Sequence, residues 1–343
     1  MKASRDMNPA TGEARGRENP RWRLLFRAAL GVLAFFAVFG VIGTGYIVFR
    51  DSGTPLPRPD REVDALLDGA GFSGSFSVRI SRFGNLIYSR DFPPGQTNEH
   101  TPFPIGNLGE SFTALAIMIL NDRKQLDVKQ ELGSILGPLP SGYERLSLES
   151  LLTHSSGLSP QQKEPEEEMP PPGKAPNQET VYSPANYRFL ERVVAKVSGI
   201  PADQFVDREI LTRLNMDHTS YTPETGWVSC SRDLMTFEES LILNPFVKMK
   251  TLLRAFLPPK LADGKRGFFG FGWSVEDVRG VRMEQAGGLA GGPEAVITRF
   301  SEKNLAIVIL GRTDPPLNGR EMGREVGEIY LGREMRPSRR TVK

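Results

Sequence analysis

One cysteine in 343 residues, Cys230, excludes an internal disulfide, so stability has to come from packing. Histidine is nearly as scarce. His100, His154 and His218 stand far apart in the sequence, and none has a cysteine or a second histidine at zinc spacing. No metal site is expected from that arrangement, and nothing points to a cofactor. Glycine and proline, 35 and 27 residues, stay below low-complexity levels and show no Gly-x-y period, which excludes a fibrous chain. An excess of one charge is also lacking. The net charge is +2, and seven basic residues against three acidic ones in residues 1–27 leave the remainder slightly acidic, which excludes a nucleic-acid footprint.

Long apolar runs are absent except for one. Ala28 to Phe49 is 22 residues without a charge, long enough at about 1.5 Å per residue to cross a bilayer core of about 30 Å. Tyr46-Ile47-Val48-Phe49-Arg50 offers no small-residue cleavage site, so residues 28–49 read as an uncleaved transmembrane helix. The basic cluster of the 1–27 tail places the amino terminus in the cytoplasm, and everything beyond residue 50 in the periplasm or outside the cell. The expected localisation is therefore the cytoplasmic membrane, single-pass.

After a proline-rich linker, residues 50–59, a folded domain spans 60–333, followed by a basic tail, 334–343. Asp60 is expected to cap a short amphipathic helix that turns Val63, Leu66 and Leu67 inward. Phe76–Ser81 and Leu86–Ser89 read as a hairpin. Gly272–Val275, Val281–Glu284, Ala295–Thr298 and Leu305–Leu310 read as further strands, and Glu321–Leu331 as a closing helix. Between the two sets the pattern is helical, with strands only at the ends. That order predicts an α/β (α+β) fold: a central antiparallel sheet built from amino- and carboxy-terminal segments, flanked by helices, with an inserted helical subdomain at about 122–265. Residues 161–180, with their Glu166-Glu167-Glu168 and triple-proline runs, are too poor in apolar side chains to pack. They read as a surface loop.

Several segments carry a family likeness. Thr101-Pro102-Phe103-Pro104-Ile105-Gly106-Asn107-Leu108-Gly109-Glu110-Ser111-Phe112-Thr113-Ala114 resembles the active-site segment of the serine β-lactamase-like and penicillin-binding family of DD-peptidase-type serine hydrolases. Leu151-Leu152-Thr153-His154-Ser155-Ser156-Gly157-Leu158 is similar to its Leu-Leu-x-His-x-Ser-Gly-Leu turn. Val181-Tyr182-Ser183, followed by Asn186-Tyr187, resembles its second motif, and Arg213-Leu214-Asn215-Met216 its Pro-Leu-Gly-Met turn. Phe271-Gly272-Trp273 resembles its Gly-x-Gly-Trp strand, and Gly287-Gly288-Leu289-Ala290-Gly291-Gly292 its third motif. The resemblance covers residues 60–333 in the family's order and implies a β-lactamase/transpeptidase-like fold.

The same resemblance shows where the chemistry has gone. The family's Ser and Lys, one helical turn apart so that an amine can take the hydroxyl proton, correspond to Asn107 and Glu110. An amide is no nucleophile, and a carboxylate reverses the charge. The amide of the Tyr-x-Asn motif corresponds to Pro184, although Tyr182 is kept, and the His or Lys of the third motif corresponds to Gln285. In an unrelated serine hydrolase, loss of the nucleophile costs about 10⁶ in turnover.

No catalytic residue is therefore expected, and a ligand would meet Tyr182, Gln285, Gly287 and Gly288. Asn107 and Glu110 read instead as a helix cap with its N3 acid, and Ser183-Pro184 as N-cap and N1 of the next helix. The expected function is a membrane-anchored binding or scaffolding module that meets an extracytoplasmic protein or a cell-envelope ligand. The alternative is an active hydrolase of esterase, amidase or peptidase type with a shifted nucleophile such as Ser111.

Overall fold

A computed structural model of the chain describes residues 58–160, 173–243, 245–289 and 294–336. The expected tail, span and linker before residue 58, most of the 161–180 loop, Ala290–Gly292 of the third motif and the tail beyond Arg336 lie outside them. Among the described residues no helix is long and apolar enough to cross a membrane.

Alternating apolar residues build a six-stranded antiparallel sheet from the two ends of the domain. β1 (Ser73–Arg82) and β2 (Asn85–Phe92) form the expected hairpin. Phe83 and Gly84 both have positive φ, 53° and 74°, which matches the twist of a two-residue hairpin turn. β6 (Ser274–Val278), β7 (Val281–Gly287), β8 (Glu294–Phe300) and β9 (Leu305–Asp314) come from the other end. The order is β2-β1-β9-β8-β7-β6, with Val78 opposite Ile309 where the two ends meet.

Each face of the sheet has its own core, as a period-two pattern requires. Val78, Ile80, Met283, Phe300, Ile307 and Ile309 face α1 (Arg58–Gly69) and the closing helix α10 (Gly319–Leu331). Asp60 is buried and accepts a hydrogen bond from the Tyr330 hydroxyl at 2.7 Å, so it ties α1 to α10. The expected capping role is corrected: α1 already begins at Arg58.

Ala286, Ile297, Val308 and Leu310 face the other layer. At its centre lies α2 (Glu110–Asp122), whose residues Ser111 to Leu120 are all buried. A helix apolar on every side belongs inside a core, and here it is surrounded by the sheet and by the helical part of the chain. That part holds α3 (Leu132–Leu136), α4 (Leu148–Leu152), α5 (Pro184–Ser198), α6 (Ala202–Val206) and α7 (Thr212–Leu214), with α8 (Ser231–Leu243) and α9 (Met249–Ala255) after them.

The expectation of strands only at the ends is corrected by a second, three-stranded sheet in the order β3-β5-β4. β3 is Phe103–Pro104, β4 Ser220–Thr222 and β5 Gly226–Ser229. Strands of two to four residues are too short to show a period in sequence.

Candidate functional site

A 3₁₀ turn, Gly106–Gly109, leads directly into α2 and sets Asn107 and Glu110 at its start. Gly109 is packed against the Trp227 ring of β5; a Cβ there would lie 2.4 Å from the indole, so the turn needs glycine for this close approach. The expected cap and N3 pair does not form. The position before α2 is Gly109, and no side chain caps either the turn or the helix. Asn107 Oδ1 instead accepts the Leu289 N–H at 3.4 Å, across to the end of β7, and its side chain also acts on the Tyr182 hydroxyl.

Glu110 turns toward α4 and α5. Its Oε1 accepts the Tyr182 hydroxyl at 2.9 Å, and its Oε2 lies 3.6 Å from His154 Nε2. His154 Nδ1 accepts the Ser183 backbone N–H at 3.3 Å and faces Asn186 Nδ2 at 3.0 Å. The Asn186 amide is oriented by Ser156, whose hydroxyl donates to Oδ1 at 2.6 Å. A backbone N–H can only donate, so in the neutral ring Nδ1 is the acceptor and Nε2 carries the proton toward Glu110. Burial, followed by the charge of Glu110 and the hydrogen bond to it, pushes the Tyr182 phenol far above the ordinary tyrosine value. The phenol therefore stays protonated. Phe269 closes the group, with its ring 4.8 Å from that of His154.

Pro184 opens α5 as expected, and Ser183 stands before it, but the Ser183 hydroxyl donates to Ser159 O at 2.7 Å instead of capping the helix. Gln285 is corrected as a ligand contact. Its Nε2 donates to Thr298 Oγ1 at 3.0 Å and to Arg320 O at 2.8 Å, beneath α10, and the side chain is buried. Strand alternation points it to the α10 face of the sheet, while Ala286 points to α2.

Gly287 and Gly288 both have positive φ. A Cβ on Gly287 would meet Ala295 O at 2.1 Å and one on Gly288 would meet the Arg320 side chain at 2.8 Å, so both glycines are used for packing. Ser111 is buried, and its hydroxyl donates to Leu108 O at 2.8 Å, one turn back in its own chain.

Two residues of this region were not legible as site residues. His154 reads from sequence as a turn residue. Its φ of 50° bears that out, yet the turn delivers its ring to Glu110 and Tyr182. Arg320 gives no sequence signal. It places a guanidinium at the third motif, donating to Gly287 O at 3.1 Å and to Ser274 Oγ at 2.7 Å. The histidines are also closer in space than in sequence. The fold brings His100, His218 and Cys230 together, with one potential ligand atom from each lying within 4.8 Å of the others.

Comparison with known proteins decides the affiliation, because residues 60–330 match the protein family described as Beta-lactamase. The chain belongs to the beta-lactamase family. This beta-lactamase-family chain is 21% identical over 327 residues to penicillin-binding protein 4* of Bacillus subtilis (strain 168), with 74% of this chain and 72% of that protein covered. It is 24% identical over 205 residues to an N-acetylmuramyl-L-alanine amidase of the same organism, 48% of this chain and 46% of that one. Another relative from that organism, named for penicillin binding, matches over 47% of this chain and 44% of its own length. The chain thus spans less than half of two of these relatives.

Among solved structures, the octameric penicillin-binding protein homologue from Pyrococcus abyssi superposes with a TM-score of 0.67 at 17% identity, over 81% of this chain and 78% of that one. A beta-lactamase/D-alanine carboxypeptidase from Yersinia pestis gives 0.65 at 16% identity, over 80% and 98%. At these identities the likeness is one of fold.

Proposed function

We propose that this beta-lactamase-family protein has lost serine hydrolase activity and works as a binding or scaffolding module. The observation that carries the reading is the hydrogen bond from Tyr182 to Glu110. A carboxylate occupies the position of the family's amine; it is engaged by the Tyr182 hydroxyl and faces His154, and the phenol it holds stays protonated and so is no base. The other position of the pair holds Asn107, whose amide cannot attack a carbonyl. Ser111 does not replace it, because it is buried and its hydroxyl is committed to Leu108 O.

The sequence supports the rest of the proposal. Residues 28–49 anchor the chain in the cytoplasmic membrane, with residues 1–27 inside and the folded domain outside. Its partner is an extracytoplasmic protein or a cell-envelope ligand, in keeping with relatives named for penicillin binding. Glu110 makes the cleft less cationic than an amine would, so ligands that carry a carboxylate should bind poorly.

The test is incubation of the full-length protein with a fluorescent penicillin and with a reactive ester, followed by intact mass spectrometry. The expected outcome is an unchanged mass. A covalent acyl adduct on any residue would overturn the reading.

A further inference from the structure

Two of the chain's three histidines and its only cysteine come from three separate segments, yet their donor atoms converge. We propose that His100, His218 and Cys230 form a three-ligand binding site for a borderline-soft transition-metal ion of the zinc type. The site shares no residue with the Glu110 group.

Secondary structure assembles it. β3 pairs with β5 through Phe103 opposite Ser229, which sets the His100 segment beside Cys230. The Arg232 N–H donates to Glu99 O at 3.2 Å and ties the two segments a second time. His218 is anchored to the start of α8, where its backbone N–H donates to Asp233 Oδ2 at 2.9 Å, and the Thr219 hydroxyl donates to the same oxygen at 2.9 Å. The rings of His100 and His218 lie 4.5 Å apart.

Each donor has the character a ligand needs. His100 Nε2 lies 3.4 Å from Glu99 Oε1, the arrangement in which a carboxylate holds one ring nitrogen and aims the other at a metal. The other nitrogen, Nδ1, is buried and has no hydrogen-bond partner among the described residues. Cys230 is fully buried and presents its sulfur to the two imidazoles. The Sγ–metal bond forms as the S–H proton leaves to solvent. Asp233 and Glu99 make the surroundings favourable to a cation, against Arg79, which lies 3.7 Å from Glu99.

Two imidazoles and one thiolate suit zinc, and three protein ligands leave a fourth position open to water. Tetrahedral zinc requires donor atoms about 3.3–3.6 Å apart, so the cluster must close by about 1 Å. The His218 side chain is exposed, so it is the ligand least held by packing.

The test uses full-length protein stripped with a chelator and titrated with Co²⁺, then with Zn²⁺. The expected result is one equivalent of Co²⁺ bound, a near-ultraviolet thiolate-to-cobalt charge-transfer band, and loss of that band when Zn²⁺ displaces the cobalt. Cys230→Ser should abolish the band. His218→Ala, at an exposed position whose removal leaves the fold intact, should weaken binding by about tenfold or more, and Glu99→Gln by about 10–100-fold. Cobalt bound without the band, a band that survives in Cys230→Ser, or affinity unchanged in His218→Ala would each overturn the proposal.

Discussion

Position 110 determines what its neighbours can do. With a carboxylate there, Tyr182 donates to it and stays protonated, and His154 offers it the Nε2 side of its ring. Burial is the larger cause of the raised phenol and the Glu110 charge the next. Glu110→Gln should therefore lower the Tyr182 pKa while leaving it above the ordinary tyrosine value, which ultraviolet titration of phenolate formation in the folded protein would read. An unchanged Tyr182 titration would count against the pairing. Ser111→Ala should leave the outcome of penicillin labelling unchanged and cost about 1 kcal/mol, the value of one buried hydrogen bond. Denaturant unfolding would measure it.

The replaced side chains were legible in the sequence at this scale, because a one-turn spacing survives whatever fills it. Their roles were not. A cap is a local contact, and Asn107 and Glu110 found tertiary partners at Leu289 and Tyr182 that the sequence could not place beside them.

At the scale of elements, α10 shows how a helix is fitted to a sheet. Gly319, Gly323 and Gly327 recur every four residues and so form one stripe along the helix. Facing them are Val296, Thr298 and Phe300, which recur every two residues along β8. A Cβ would meet Val296 Cγ2 at 3.0 Å from Gly319, Thr298 Oγ1 at 2.1 Å from Gly323, and Phe300 Cε2 at 2.1 Å from Gly327. Alanine normally improves a helix by about 1 kcal/mol over glycine. Here overpacking of about 1–3 kcal/mol opposes that gain.

Gly323→Ala and Gly327→Ala should both lower stability, and Gly319→Ala should be the mildest of the three, as read from urea midpoints. Equal stabilisation by all three would show that α10 does not depend on the close approach. The helix and all six main strands were legible from periodicity; five strands proved longer than expected, while β6 begins at Ser274, two residues later than expected, because Gly272 has a positive φ. The stripe is visible in the sequence, but nothing there says that β8 lies under it. The short β3, β4 and β5 were missed for want of length, and with them the meeting of His100, His218 and Cys230.

Across the whole molecule, one ion pair fastens the helical layer to the sheet. Glu238 on α8 and Arg299 on β8 are both buried, with Arg299 Nε 2.9 Å from Glu238 Oε1. The guanidinium is stacked near Phe256 and Trp273, at 4.6 and 5.5 Å from the ring centroids. Glu284, on the neighbouring strand, feels the same cation. Burial pushes the carboxyl groups of Glu238 and Glu284 up, and Arg299 is the largest influence drawing each of them back down. Removing one partner of such a pair leaves a buried charge uncompensated, so Arg299→Leu should cost about 3–5 kcal/mol at neutral pH. Glu238→Leu together with Arg299→Leu should recover much of that loss, because no uncompensated charge then remains at the α8 contact.

The sign of the pH dependence follows from the raised carboxyls. A carboxyl whose folded pKa lies above the unfolded one favours the fold while it is protonated. That contribution is complete below the ordinary glutamate value of 4.5 and is lost as pH rises through the higher folded value. Without Arg299, Glu238 and Glu284 should shift higher still. The deficit of Arg299→Leu relative to wild type should accordingly shrink when unfolding is measured below pH 4.5 and grow toward neutrality. A deficit of the same size at both ends of that range would mean that the guanidinium acts through its packing against Phe256 and Trp273 and not through its charge.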